Sequence, residues 1–256
     1  MQIQFDAKEA TIKLVYYGPA LSGKTTNLRA LHQITRDDSR GRLMTLETRD
    51  DRTLFFDVLP FVFRAEGASD SRSSGKVTLR IKIFTVPGQV LHASTRRLVL
   101  QGADGVAFIA DSRRDEVRRN AESFLDLREN LTELGFSLRD VPLVIQFNKR
   151  DLPDVRPIAE VEDLARRGRE PVYLASAIDG TGVAETFLAL LDRTWNKLDA
   201  EHQLANLVGI GRDEFIGQVT RKLGIQLDLE MVRARALGGP RPPDEASSGA
   251  PGKELS

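Results

Sequence analysis

The chain has no cysteine. Disulfides, thiolate metal sites and lipid anchors on cysteine are therefore excluded. Its three histidines, His32, His92 and His202, are scattered without metal-ligand spacing and read as ordinary side chains. An excess of one charge is also missing, because 37 Lys+Arg balance 37 Asp+Glu. There is no global electrostatic case for nucleic acid or an anionic membrane. No run of 18 apolar residues occurs that could span a bilayer as a helix. The opening Met-Gln-Ile-Gln-Phe-Asp has neither a basic head nor a long apolar stretch, and Gln2 stands where N-myristoylation needs glycine. The expectation is a cytoplasmic chain with no transmembrane segment and no lipid anchor. What remains is 256 residues, 41% of them hydrophobic, which suits one domain of about 200 residues plus extras.

Residues 18–25 spell Gly-Pro-Ala-Leu-Ser-Gly-Lys-Thr, a complete G-x-x-x-x-G-K-S/T loop. An apolar, β-branched run precedes it at 10–17. A helical pattern follows at 25–34, apolar at Leu28, Leu31 and Ile34. Strand, glycine-rich turn and helix together aim backbone N–H groups at an anion. Gly18 and Gly23 allow dihedrals that a Cβ forbids. Pro19, Ala20, Leu21 and Ser22 form the body of the loop, and Thr26 follows it. Lys24 brings a point charge to the β- and γ-phosphates, and the Thr25 hydroxyl is placed to ligate Mg²⁺.

Further strand patterns fall at 42–46, 53–63, 77–85, 105–110, 141–147 and 171–175. Helical patterns fall between them at 115–134, 158–166 and 183–198. Apolar strands separated by helices predict a three-layer α/β fold with a mostly parallel sheet, the P-loop NTPase arrangement. The phenylalanines Phe55, Phe56, Phe61 and Phe63 read as sheet core or a partner-facing edge. The Arg96-Arg97 pair and the stretch from Arg113-Arg114 to Arg118-Arg119 read as solvated faces. Residues 200–237 read as helical pieces broken at Gly209, Gly211 and Gly224, either packed on the domain or offered to an effector. The division expected is an α/β domain at 1–198, a helical C-terminal extension at 199–237 and a disordered tail at 238–256.

The base is chosen by Asn148-Lys149-Arg150-Asp151, which directly follows the strand pattern at 141–147. That places it at a strand's carboxyl end, where α/β sheets bind ligands. The Asp151 carboxylate can accept from the guanine ring N–H and the exocyclic amine. Adenine offers no such pair and would leave the carboxylate unpaired. Asn148 can bond the other edge of the base and tie it to the phosphate loop, and the Lys149 stem can lie along the ring. Ala175-Ser176-Ala177 ends the next strand, and Ser176 or Ala177 can give a backbone N–H to the guanine oxygen. The expected ligands are GTP and GDP with Mg²⁺.

These motifs in this order resemble the Ras-like small GTPases, and within them the bacterial MglA-type branch. The stretches carrying the resemblance are Tyr16-Tyr17-Gly18-Pro19, Lys24-Thr25-Thr26-Asn27-Leu28, Arg52-Thr53-Leu54-Phe55-Phe56-Asp57, Thr85-Val86-Pro87-Gly88-Gln89 and Asn148-Lys149-Arg150-Asp151-Leu152-Pro153. The likeness covers residues 8–198. It implies that Gly88 meets the γ-phosphate, that Gln89 orients the attacking water, and that Thr53 completes the Mg²⁺ shell. It implies a catalytic arginine supplied in cis at Arg52, with Arg49 as a competing candidate. Lys24, Arg52 and Gln89 are thus the expected catalytic set. Thr85 stands where ordinary Ras-like proteins have Asp, a replacement the MglA-type branch shares. Ala20 stands where that branch has Gly, and its methyl is expected to crowd the hydrolysis geometry and slow it. The resemblance further implies a roadblock-type activating partner, effector proteins and a role in cell polarity or motility. Two other readings stand beside this switch: a GTP-gated scaffold with little hydrolysis, and a phosphate-loop ATPase or small-molecule kinase.

Overall fold

The computed structural model describes residues 2–4, 9–36, 44–46, 56–64, 78–86 and 93–237. Within them the strands are β1 (Gln2–Gln4), β2 (Glu9–Tyr17), β3 (Met44–Leu46), β4 (Phe56–Arg64), β5 (Thr78–Thr85), β6 (Gly105–Asp111), β7 (Leu143–Asn148) and β8 (Val172–Leu174). The helices are α1 (Lys24–Ile34), α2 (Ala93–Leu100), α3 (Val117–Glu133), α4 (Ile158–Arg167), α5 (Val183–His202), α6 (Leu204–Val208), α7 (Arg212–Leu223) and α8 (Leu229–Ala234).

The strands form one sheet in the order β3-β4-β5-β2-β6-β7-β8. Its centre is parallel, from β5 through β2, β6 and β7 to β8. β4 runs antiparallel to β5, β3 antiparallel to β4, and β1 lies antiparallel along the start of β2. A strand inside such a sheet is covered on both faces and must be apolar throughout. β6, Gly-Val-Ala-Phe-Ile-Ala-Asp, is buried along its whole length.

Helices cover each face. One face joins Leu28 and Leu31 of α1 to Phe187, Leu190 and Leu191 of α5. The other joins Val99 of α2, Leu127 of α3 and Val161 of α4 to Val15, Phe108 and Leu143 of the sheet. The three-layer arrangement expected from the alternating patterns is therefore the one observed.

α6, α7 and α8 pack outside α5. Leu204, Val208, Phe215, Val219, Leu223 and Val232 are all buried. Phe215 stacks on Trp195 of α5 with ring centroids 4.5 Å apart, a contact worth about 1 kcal/mol beyond its area. Asp192 of α5 receives Arg212 at 2.6 Å and Arg233 at 3.3 Å. The glycines fall at helix ends as their placement suggested: Gly209 and Gly224 close α6 and α7 in the left-handed region, and Gly211 opens α7.

Two elements go beyond the sequence patterns. β1 pairs antiparallel with the start of β2. α2 contains Arg96-Arg97, and here the expectation of a solvated face fails for Arg96, which is 7% exposed. Its guanidinium pairs with Asp126 of α3 at 2.9 Å. Arg118, by contrast, does face solvent.

Candidate functional site

The parallel strands place their carboxyl ends side by side. β2 runs into the 18–25 loop, β6 ends at Asp111, β7 ends at Asn148 opposite it in register, and β8 leads into Ala175. Gly18 has φ +144°, and a Cβ there would stand 2.2 Å from the Ile109 carbonyl oxygen. Gly23 has φ +96°, and a Cβ there would stand 2.2 Å from the Asn148 amide nitrogen. Both positions need glycine for the left-handed backbone and for space. α1 then starts at Lys24 with no acidic residue in its first turn, so the positive helix end is left for an anion.

Lys24 is 7% exposed. Its ammonium donates to the carbonyl oxygens of Gly18 at 2.9 Å and Pro19 at 2.6 Å. Burial, reinforced by the positive charges of Arg96 and Lys149, lowers its pKa to about 7. A buried cation facing dipoles rather than a carboxylate gains most from an arriving phosphate. The Ser22 hydroxyl is buried in the loop's inner curve, without a hydrogen-bond partner among the described residues. The glycine cradle, the ammonium and this hydroxyl fit a nucleotide phosphate group. Thr25 and Thr26 follow, half-buried, in the first turn of α1. Pro19 and Ala20 line the loop, and Leu21, at φ +62°, projects into solvent.

Asn148 joins three loops. Its amide nitrogen donates to the Ser22 carbonyl at 2.8 Å, and its amide oxygen accepts from the Ala177 N–H at 2.9 Å. Asn148 is 2% exposed, so these bonds lie away from water. The predicted tie to the phosphate loop is therefore present in the chain itself. The Ala177 N–H, expected to serve the guanine oxygen, is occupied by Asn148, and the Ser176 N–H donates to the Thr181 carbonyl at 2.9 Å. A base oxygen would have to share the Ala177 N–H.

Asp151 is exposed beside this knot. Its carboxylate accepts from the buried Ser176 hydroxyl at 3.0 Å, and the same hydroxyl lies 2.8 Å from Asp179. The Arg150 N–H donates to the Ala175 carbonyl at 3.0 Å, fastening the two base-side loops together. Lys149 adopts φ +68° and its ammonium reaches Asp111 at 2.6 Å, which fixes the direction of its stem. Burial works to raise the pKa of Asp111, but hydrogen bonds from Arg113 and Lys149 outweigh it and hold the carboxyl below its ordinary range. The network thus keeps Asp111 ionised as the anchor of Lys149.

The structure therefore gathers Gly18 to Thr26, Asn148, Lys149, Asp151, Ser176 and Ala177 at one end of the sheet. Arg49, Arg52, Thr53, Gly88, Gln89 and His92 lie outside the described residues. Sequence reasoning missed Asp111 and the group behind the phosphate loop. There the Tyr17 hydroxyl and the Arg96 guanidinium converge on Asp126, and Asn130 donates to the Tyr17 oxygen at 3.1 Å. Burial and the hydrogen bond to Asp126 push the Tyr17 phenol far up, so it stays a donor. The only sequence signal was an Asp and an Asn four apart on one face of α3.

No protein-family model matches the chain. It is 41% identical over 191 residues to the mutual gliding-motility protein MglA of Myxococcus xanthus (strain DK1622), a match spanning 73% of this chain and 92% of that protein. It is 25% identical over 195 residues to the Ras-related protein Rab-27A of Rattus norvegicus, spanning 73% of this chain and 80% of that one. It is 28% identical over 144 residues to the GTPase Obg of Caldicellulosiruptor bescii, spanning 56% of this chain and 28% of that one. A phosphate cradle tied through one asparagine to an aspartate-bearing base loop is the frame such proteins need, and with 41% identity to MglA the chain belongs to the MglA-type branch of the Ras-like small GTPases.

Proposed function

We propose that this GTPase is a molecular switch whose hydrolysis is slow and stimulated by a roadblock-type partner, acting in the cytoplasm in cell polarity or motility. The observation that carries the reading is Asn148, which links the phosphate loop at Ser22 to the base loop at Ala177. One residue thereby sets the distance between triphosphate and base. In this reading Asp151 accepts from guanine, Lys149 lies along the ring, and Ser176 and Ala177 line the base oxygen. Gly18 to Thr26 wrap the phosphates, with Lys24 neutralising them as charge develops.

Among the described residues no three His, Asp or Glu gather to hold a metal. In this reading Mg²⁺ would be held by the hydroxyls of Thr25 and Thr53. When bound, it neutralises phosphate charge. Thr53 and Gly88 are proposed to follow the γ-phosphate, with Gln89 orienting water and Arg52 stabilising developing charge. Loss of that phosphate releases both segments and changes the surface partners meet. The motility role extends to this chain what the name of the Myxococcus relative states of that protein. Residues 1–198 are proposed as the G domain, 199–237 as its helical extension and 238–256 as a tail outside it.

The buried Thr85 favours a second reading, a GTP-gated scaffold that barely hydrolyses, because no carboxylate stands at that position. Single-turnover GTP cleavage with and without a roadblock-type protein separates them. The switch reading expects a slow basal rate that the partner raises at least tenfold. No stimulation by any such partner, on a basal rate indistinguishable from buffer, would favour the scaffold.

A further inference from the structure

The base loop, residues 175–182, runs from the end of β8 to the start of α5. The elements flanking it are each held by the last described residues of the extension, β8 at its first residue and α5 in its first turn. On the β8 side, Val172 and Leu237 exchange two backbone hydrogen bonds: Val172 N–H to the Leu237 oxygen at 3.1 Å, and Leu237 N–H to the Val172 oxygen at 2.7 Å. β8 ends the sheet order and is three residues long. Its inner edge pairs with β7, and the bridge to Leu237 adds a second partner on its open edge. On the α5 side, the Arg235 guanidinium donates to Glu185, whose side chain is 10% exposed in the first turn of the helix.

Between the two grips the loop is tied to itself and to its neighbours. The Ser176 N–H donates to the Thr181 oxygen at 2.9 Å, and the Thr181 N–H donates to Asp179 at 2.9 Å. From this frame the Ser176 hydroxyl reaches Asp151 at 3.0 Å, and the Ala177 N–H reaches Asn148 at 2.9 Å. A displacement at either end of the loop is therefore felt by the residues that face the base.

We propose that Arg235 and Leu237 are positioning residues for guanine recognition, a C-terminal staple that closes both ends of the base loop and slows nucleotide release. The inference rests on the reading of Asp151 and Ser176 as the base site. The extension does more than cover apolar surface: its final turn preorganises the loop, so less ordering is left for the nucleotide to impose. The extension's pairing through Arg212 lacks this link. Arg212 pairs with Asp192 at 2.6 Å, in the middle of α5 and away from the loop.

The test uses the full chain with Arg235→Gln, Leu237→Pro and Arg212→Gln, each compared with wild type. Proline at 237 deletes one N–H and with it the shorter bond to Val172. Release of a fluorescent GDP is timed, and the affinities for GDP and inosine diphosphate are measured. Inosine diphosphate keeps the phosphates and lacks the exocyclic amine. The staple predicts GDP release about five- to tenfold faster in Arg235→Gln and Leu237→Pro, with the preference for GDP over inosine diphosphate narrowed severalfold, and Arg212→Gln like wild type. General loosening would weaken both nucleotides equally and would act in Arg212→Gln as well. Either that pattern or wild-type release in both staple variants overturns the inference. Wild-type protein that binds no guanosine nucleotide would instead remove the base-site reading beneath it.

Discussion

Replacing Asn148 separates the tie between the two halves of the site from the rest of the fold. Asn148→Ala leaves the Ser22 carbonyl and the Ala177 N–H without partners, at positions 0% and 4% exposed. An orphaned buried polar group costs about 1–3 kcal/mol, and two of them cost about 2–6 kcal/mol before any water enters. For a domain this size each kcal/mol moves the melting temperature by about 2–4 °C. With water relieving part of the penalty, a fall of roughly 5–12 °C is expected. Asn148→Asp is the informative partner. It keeps an oxygen for the Ala177 N–H but puts a second acceptor against the Ser22 carbonyl, where the donor stood at 2.8 Å. The aspartate variant should lose GDP affinity at least as severely as alanine, because it pushes the phosphate loop away instead of releasing it. The assay is thermal unfolding of the free protein together with GDP titration. Melting of Asn148→Ala within about 1 °C of wild type, or full GDP affinity in Asn148→Asp, would refute the reasoning, since one unmade buried bond alone should cost more.

Further outcomes follow from the same contacts. Because Lys24 titrates at about 7 in the free protein, it is largely neutral above that pH and must take up a proton when phosphates bind. GDP affinity should therefore fall as pH rises from 7.5 to 8.5, by about tenfold per unit; calorimetry in buffers of different ionisation enthalpy counts the proton, and flat affinity with no uptake contradicts the shift. Arg96→Ala removes a positive charge that opposes Lys24, so the midpoint of that pH dependence should move upward; an unmoved midpoint removes Arg96 from the cause. Phe215→Ala deletes the ring stacked on Trp195 and should cost about 3–5 kcal/mol in chemical denaturation, whereas a cost under 1 kcal/mol would mean the extension is only loosely held. Ala20→Gly should speed single-turnover GTP cleavage by removing a methyl near the reacting groups; an unchanged rate sinks the crowding argument.

The phosphate loop was legible because its chemistry forces its spelling: φ values of +144° at Gly18 and +96° at Gly23 exclude most side chains whatever surrounds them. The placement of Asn148 and Asp151 beside the phosphate loop was legible because they follow an apolar strand, and a parallel sheet brings the carboxyl ends of its strands together. The parallel core was legible because strands buried on both faces, such as β6, leave no polar alternation. Arg96 was not legible. An arginine is buried only where a counter-charge waits, and its partner Asp126 lies thirty residues away on another helix. The pairing of Leu237 with Val172 was hidden for the same reason, since a backbone bridge leaves no mark on side-chain pattern. The bond from the Ala177 N–H to Asn148 was not legible, because Asn148 was read as a ligand for the base and its oxygen also accepts inside the protein.

The most direct test of the account is calorimetric titration of the purified, nucleotide-free chain with GDP and with ADP, repeated on Asp151→Asn with GDP and xanthosine diphosphate. The account predicts that wild type prefers GDP over ADP by at least a thousandfold and that Asp151→Asn turns the preference toward xanthosine diphosphate, whose ring carries an oxygen in place of the amine. Equal affinity of the wild type for GDP and ADP would contradict it.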